Sequence, residues 1–286
     1  MKKRLGKVRK FLFYFSMVLF ILSLAAIGFY LFVIHSEDTK FKDIKAKIKG
    51  EDAQEESKDG LDYYLIDGVV VQEKFKDLYI ENSDTIGWVS IKDTPIDYPV
   101  MCTPKDEQFY IHKGFDKEYS FGGCIFTNAD ADIVSPSENI IMYGHHMVSQ
   151  TMFKPLDGYK DEDFYKKHKY ITFDSLRQTG TYEVIAAFST NIVYYEEDGF
   201  MYYNYTNMGK SDFEEYVKKS KELTSYPISA TAEYGDQLIT LSTCAYHTYN
   251  GRFVVVAKRI DGKEVDLDKE PIEVIETKGE KDNEED

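Results

Sequence analysis

The hydrophobic pattern divides the chain into one long apolar segment and a series of short apolar runs. Residues 11–34 form a stretch of 24 residues without a charged side chain. A helix of that length spans about 36 Å, enough to cross a bilayer core of about 30 Å. The stretch is longer than the apolar region of a cleaved signal peptide, and no clean cleavage site of small residues follows it. The pattern predicts an uncleaved transmembrane helix over 11–34, preceded by a separate segment over 1–10.

The region after the apolar segment is polar and then becomes amphipathic. Residues 35–67 are rich in Lys, Asp and Glu, which predicts a stalk that is partly helical around 43–49. In residues 68–82, apolar side chains recur close to helical spacing, which predicts an amphipathic helix.

From Ile86 the pattern changes to short runs rich in β-branched and aromatic residues, separated by Gly, Pro, Asn and Asp. Such runs predict strands of an antiparallel barrel or sandwich, and therefore a mainly β fold. The eight predicted strands are 86–91, 96–101, 123–127, 139–143, 170–174, 181–190, 237–243 and 252–260.

Two helices are predicted among these strands. One lies near residues 161–168. The other covers 211–223, where Ser211 and Glu214 form a capping-box pattern, and it lies within a long insertion between two strands, roughly 191–234. Insertions of that length in a compact barrel are often functional.

The distribution of charge differs sharply between the N-terminal segment and the rest of the chain. The six charged residues before Phe11 are all basic and no acidic residue precedes Glu37, so the positive-inside rule predicts a cytoplasmic N-terminus and an extracellular remainder. That remainder has a net charge of −21, since it holds all 50 acidic residues and 29 of the 35 basic ones. Nucleic-acid binding is therefore not expected. Residues 263–286 are predicted to be an acidic tail.

Hydrophobic residues make up 43% of the chain and aromatic residues 15%, enough for the extracellular part to bury a core. Three cysteines are too few and too widely spaced for a disulfide framework or a cysteine-rich zinc site.

A thiol and a guanidinium are predicted to meet in one hairpin. The strands at 237–243 and 252–260 flank a loop that ends in an Asn-Gly turn signal, which would place Cys244 opposite Arg252. Paired positions on antiparallel strands have Cβ atoms about 5 Å apart. The cation would favour the thiolate and could donate hydrogen bonds to an oxyanion. The alternative is a structural cysteine beside a surface arginine.

A thiolate catalyst usually needs an acid–base partner, most often histidine. His145 and His146 follow the strand at 139–143 and a glycine. Consecutive residues in an extended chain point to opposite faces, so only one would face the cysteine. The alternatives are a solvated loop or a metal site without further ligands nearby. The other histidines lie at the membrane edge or in charged surface contexts: His35, His112 and His168.

Together these elements resemble the sortases, the membrane-bound cysteine transpeptidases of Gram-positive bacteria. The resemblance covers roughly residues 86–260 and rests on Gly144-His145, on Thr240-Leu-Ser-Thr-Cys244 and on Gly251-Arg252, in that order. Further stretches resemble class B sortases: Asp97-Tyr-Pro-Val-Met, Gly122-Gly-Cys-Ile-Phe, Tyr143-Gly-His-His-Met, Thr151-Met-Phe and the helix in the insertion. Two positions depart from the family. Cys124 stands where a serine is common, and Ala245-Tyr246 stands where some members carry acidic residues.

The resemblance implies a closed or partly open eight-stranded sortase-type β-barrel with N-terminal helices, over residues 68–262. It also implies that Cys244 is the nucleophile, that Arg252 stabilises the oxyanion, and that His145 is the acid and base. Ser242 and Thr243 are candidates for lining the peptide groove, although strand packing is the favoured explanation for each. No metal and no cofactor are expected.

The partners implied by the resemblance are secreted surface proteins with a C-terminal sorting motif and an amine acceptor. The acceptor is either an amino group of a peptidoglycan cross-bridge or a pilin lysine, and the product forms through a thioacyl intermediate.

Three rival functions stay open on the sequence. A secreted cysteine peptidase would only hydrolyse, whereas a transpeptidase would ligate an added amine. An L,D-transpeptidase usually carries a Ser-His-Gly-Cys box, whereas this chain has Leu241-Ser-Thr-Cys244. A membrane-tethered module that binds haem or another ligand would use His145, His146 and the many tyrosines.

Overall fold

The computed structural model describes residues 2–48, 61–191, 200–244 and 251–277. The chain forms two compact units, residues 1–44 and residues 45–286. The first consists of most of helix α1 (Lys2–Ile48), whose apolar side chains, such as Phe13 and Phe29, are largely exposed. Within the described ranges, α1 is the one helix long and apolar enough to cross a membrane. It continues past residue 34 through the predicted stalk, so the helical part of that stalk is longer than 43–49.

Eight strands of the second unit close into a barrel, with the strand order β10-β8-β7-β3-β4-β5-β6-β9. They coincide with the eight predicted runs, and the predicted fold is confirmed. Their bounds are β3 (Thr85–Ser90), β4 (Asp97–Met101), β5 (Ile125–Thr127), β6 (Asn139–Gly144), β7 (Tyr170–Ser175), β8 (Thr181–Asn191), β9 (Leu238–Cys244) and β10 (Gly251–Asp261).

A separate three-stranded sheet joins the two ends of this unit. Strand β1 (Tyr63–Ile66) pairs antiparallel with β2 (Val69–Gln72) and parallel with β11 (Val274–Ile275). The sheet therefore draws β1 from the predicted stalk and β11 from the predicted acidic tail, outside 68–262.

The helix predicted over 68–82 is wrong in its first half. The turn Asp67-Gly68 has positive φ at both residues (47° and 80°), which fits a tight hairpin turn, and the β-branched run Val69–Val71 then pairs with β1. Only the second half is helical, as a 3₁₀ turn (Glu73–Phe75) followed by α2 (Lys76–Glu81). The helix predicted near 161–168 is α3 (Glu162–Lys167).

The insertion between β8 and β9 contains α4 (Lys210–Leu223), which buries Phe213 and Tyr216 against the barrel. The predicted capping box at Ser211 is wrong. The N-cap is Gly209, whose extended backbone starts the helix earlier and which offers no side-chain cap.

Buried hydrogen bonds tie α4 to the barrel. The hydroxyls of Tyr216 and Thr240 are 2.5 Å apart, and Thr240 also donates to the Asn139 side chain at 2.9 Å. A satisfied buried network of this kind fixes the insertion relative to β6 and β9.

Candidate active site

Three adjacent strands bring the predicted catalytic positions to one end of the barrel. β6 and β9 run parallel with Gly144 paired to Thr243, so His145 and Cys244 each follow one residue later. β9 and β10 run antiparallel with Arg252 directly opposite Cys244. For Cys244 the described part is the backbone, and Ala245 and Tyr246 lie outside the described residues. The backbone register thus places all three predicted residues on neighbouring strands at the same level.

Gly144 permits the close packing that ends β6 in front of His145. A Cβ atom at this position would lie 2.6 Å from Ile125 Cδ1 and 2.8 Å from the Phe153 ring. These contacts are too short for any larger residue unless its neighbours move. The glycine in the Gly-His pair therefore sets where the imidazole leaves the strand.

The imidazole of His145 is fixed at one nitrogen. Its Nε2 lies 2.7 Å from the carbonyl oxygen of Ile111, and because a carbonyl can only accept, Nε2 carries the proton. Among the described residues, Nδ1 has no hydrogen-bond partner. Burial lowers the pKa of His145 below its ordinary value, and the nearby His112 lowers it further, while the Ile111 carbonyl partly opposes both. His145 therefore presents a basic Nδ1 for proton transfer.

His146 points into a different environment. Its Nε2 lies 2.7 Å from Asp157, whose carboxylate also pairs with Lys154 and Lys160, both at 2.5 Å. Burial would raise the pKa of Asp157, but these hydrogen bonds outweigh it and hold that pKa well below its usual range. The two consecutive histidines thus diverge: His145 lines the cavity described below, and His146 anchors the following loop.

Arg252 lines the same cavity and is partly exposed. Its Nη1 donates to the carbonyl of Gly251 at 3.0 Å. No carboxylate in the described ranges forms an ion pair with it. A guanidinium that is not neutralised by a carboxylate can direct its hydrogen bonds to a substrate oxygen.

Ser242 and Thr243 also line the cavity, and both are only 1% exposed. Ser242 is hydrogen-bonded to the Tyr202 hydroxyl at 2.6 Å, which ties β9 to the insertion. The Thr243 hydroxyl is buried without a hydrogen-bond partner in the described part of the chain. Since a buried polar atom usually has a partner, Thr243 is a candidate to bind a group that enters the cavity.

The cavity has a volume of about 580 Å³, within the range of sites that bind small ligands or peptide segments. The sequence analysis missed part of its wall. The missed residues come from the insertion and from the segments after β4 and β5, and include Glu107, Gln108, Asn128, Asp130, Met201, Tyr202 and Tyr203. The one available signal was the aromatic cluster Met201-Tyr-Tyr in a long insertion.

Neither of the other two cysteines is among the residues that line the cavity. Cys124 is buried, and Cys102 donates to the Asn128 carbonyl at 3.5 Å. Burial raises the pKa of the Cys102 thiol, which favours the unreactive protonated form. Within the described residues, no group of three or more His, Cys, Asp or Glu is arranged to hold a metal ion.

Comparison with known proteins identifies the family. The sortase-domain model matches residues 89–260. Sortase B of Staphylococcus aureus is 31% identical over 192 residues, which cover 66% of this chain and 76% of that protein. Sortase B of Listeria monocytogenes is 32% identical over 193 residues, covering 66% and 75%. The solved Staphylococcus aureus sortase B–substrate complex matches with a TM-score of 0.68 and 26% identity, over 80% of this chain and 99% of that chain. The chain belongs to the sortase family, is similar to its class B members, and is a cysteine transpeptidase.

Proposed function

We propose that this enzyme cleaves a C-terminal sorting motif of secreted proteins and joins the new carboxyl end to an amine. The acceptor is a peptidoglycan cross-bridge amine or a pilin lysine, and the intermediate is a thioester on Cys244. The observation that carries the proposal is the register of β6, β9 and β10, which brings positions 145, 244 and 252 together beside one cavity.

In the acylation step, the Cys244 thiolate attacks the scissile carbonyl carbon and the carbonyl oxygen becomes an oxyanion. Arg252 supplies the positive charge and the hydrogen bonds for that oxyanion, because it stands opposite Cys244 and no carboxylate in the described ranges neutralises it. Stabilisation of this kind acts only where charge develops, so it lowers the barrier rather than strengthening substrate binding.

His145 moves the protons of both steps. As the imidazolium it donates to the departing amine when the tetrahedral intermediate collapses to the thioester. The neutral imidazole then accepts a proton from the incoming amine, which attacks the thioester, and collapse of this second intermediate releases the Cys244 thiolate. The Ile111 carbonyl occupies Nε2, so Nδ1 is the nitrogen that exchanges the proton.

The cavity provides room for the sorting motif beside these groups. Ser242 and Thr243 on β9 line the cavity, and so does Tyr202 of the insertion, which is hydrogen-bonded to Ser242. The Thr243 hydroxyl, which has no hydrogen-bond partner among the described residues, is available to a backbone or side-chain group of the peptide.

We further propose that α1 anchors the enzyme in the cell membrane with a cytoplasmic N-terminus and an extracellular catalytic unit. The exposed apolar surface of α1 and the six basic residues before Phe11 support this orientation. Anchoring enzyme and substrate in one membrane raises their effective concentration.

The test is to incubate the full-length enzyme in detergent with a library of sorting-motif peptides and a cross-bridge amine, and to read the products by mass spectrometry. A ligated product that disappears in Cys244→Ala supports the proposal. Cys124→Ser is the matched control, since this thiol is buried and does not line the cavity, so activity should persist. Hydrolysis without ligation at saturating amine would instead indicate a peptidase.

A further inference from the structure

A short 3₁₀ helix, Phe109–His112, contacts the imidazole of His145 in two ways. Its Ile111 carbonyl accepts the Nε2 proton at 2.7 Å. The ring of the next residue, His112, stacks on the His145 ring, with centroids 5.2 Å apart and planes inclined by 23°. Two neighbouring residues thus constrain one side chain, the first through an edge of its ring and the second through a face.

Buried contacts on the core side fix the position of this 3₁₀ helix. Tyr110 is fully buried, and its hydroxyl donates to Asp84 at 2.8 Å and accepts from Asn82 at 2.7 Å. Gly123 lies against the helix backbone: a Cβ there would be 2.6 Å from the Ile111 oxygen, and its φ of +58° also favours glycine. The carbonyl that holds His145 is therefore attached to the core rather than to a mobile loop.

The stack continues outward to solvent. Tyr119 is 63% exposed, and its ring also stacks with His112, with centroids 6.2 Å apart and planes inclined by 28°. The amide of Ser120 donates to the His112 carbonyl at 3.1 Å, which fixes the returning chain. His112 is therefore the middle ring of three.

We propose that His112 is a positioning residue for His145, whose stacked ring holds the His145 imidazole with Nε2 on the Ile111 carbonyl and Nδ1 available for proton transfer. A hydrogen bond alone fixes one direction and allows the ring to swing about it. A ring stacked on its face removes that freedom. This inference rests on the proposed role of His145 in acid–base catalysis.

His112 also has an electrostatic effect on its neighbour. Charge repulsion by His112 lowers the pKa of His145, in addition to the larger effect of burial. Replacing His112 with a neutral ring therefore raises the pKa of His145 while preserving the stack. Among the residues whose side chains the structure describes, the other titratable groups that line the cavity around His145 are Glu107, Asp130, Tyr143, Tyr202, Tyr203 and Arg252.

Two substitutions separate stacking from charge. His112→Phe keeps a planar ring and removes the charge, whereas His112→Ala removes both. We expect kcat/KM for ligation to stay within about threefold of wild type in His112→Phe and to fall by about 10- to 100-fold in His112→Ala, because small displacements of a catalytic group are costly. The matched control is His168→Ala. The His168 ring contacts the Phe164 ring at a tilt of 40° and does not line the cavity, so the activity of this variant should be unchanged.

A second readout is independent of turnover. In the Cys244→Ala background, NMR titration of His145 should show a higher midpoint in His112→Phe than in the unsubstituted protein. Thermal unfolding curves verify that each variant folds, and His112→Asn replaces the alanine variant if that one does not.

Wild-type kcat/KM in His112→Ala would overturn the proposal, and so would an equal loss in the phenylalanine and alanine variants. An active His145→Ala would instead remove the proposed function of His145 itself. An inactive His145→Ala together with a fully active His112→Ala would remove only the inference about His112.

Discussion

At the scale of single residues, the partners that each side chain already has decide what it can do. His145 is hydrogen-bonded at Nε2 and has no partner at Nδ1 in the described part of the chain, whereas His146 is part of the ionic cluster around Asp157. Arg252 donates only to a neighbouring carbonyl among the described residues. Their hydrogen-bond partners therefore distinguish His145 from His146 and leave the Arg252 guanidinium able to bind a substrate oxygen.

Arg252→Lys should reduce kcat/KM by about 100-fold or more, because a single ammonium cannot reproduce the planar donor fork beside the oxyanion. Steady-state ligation assays measure this loss. Arg177→Lys is the control, because Arg177 donates to the carbonyl of Val134 away from the cavity and should retain full activity. Wild-type rates for Arg252→Lys would assign Arg252 a structural role.

The lowered pKa of His145 predicts a pH-dependent stability. Burial disfavours the imidazolium in the folded protein, so between the folded pKa and the ordinary value of 6.5 the unfolded chain binds more protons. The free energy of unfolding should therefore fall as pH decreases through about 6.5, and this contribution should be absent in His145→Asn. Denaturant titrations of both proteins in the Cys244→Ala background measure the difference. A wild-type protein that gains stability over His145→Asn as pH falls would contradict the assigned direction.

At the scale of elements, the barrel was predictable and the small sheet was not. The eight barrel strands are runs of β-branched and aromatic residues long enough to stand out locally, and the Asn250-Gly251 signal marked the β9–β10 hairpin. Strands β1 and β2 form a local hairpin of two four-residue strands, and the Asp67-Gly68 pair at its turn is a hairpin signal that the helical spacing of 68–82 obscured. Strand β11 has two residues and pairs with β1 across about 200 positions, so no local pattern marks it.

Some residues of the candidate site could be predicted from the sequence and others could not. Cys244, His145 and Arg252 stand in short recognisable motifs at strand ends. His112 and Tyr202 carry no motif, and their importance depends on what the fold places beside them. The sequence indicates His112 only as a surface histidine, whereas the structure stacks it on His145.

The close packing at the end of β6 yields a prediction for a pair of residues. Gly144→Ala should cost about 1–3 kcal/mol of stability through overpacking, and should lower activity by displacing His145. Ile125→Val deletes the Cδ1 atom that the new methyl group would meet, and alone should cost about 0.5–1.5 kcal/mol. The double variant should be more stable than the sum of the two losses predicts.

Chemical denaturation of the wild type, both single variants and the double variant measures the interaction energy. Strict additivity would show that Gly144 is not packed against Ile125 as the structure indicates.

At the scale of the whole molecule, we propose that a membrane helix tethers an extracellular catalytic unit. Protease added to intact protoplasts should degrade the catalytic unit and leave an epitope tag at residue 1 protected, because the basic N-terminus stays inside. Release of the catalytic unit into the medium, without α1, would instead identify residues 11–34 as a cleaved signal peptide.

The central claim is that Cys244 carries the acyl group, and trapping the intermediate tests it most directly. The full-length enzyme is mixed with a cleavable sorting peptide in the absence of amine, quenched in acid, digested and analysed by mass spectrometry. We expect the digestion product that contains Cys244 to carry the added mass of the N-terminal peptide fragment, and we expect this adduct to disappear when amine is added. An adduct on Cys102 or Cys124, or full turnover in Cys244→Ala, would contradict this claim.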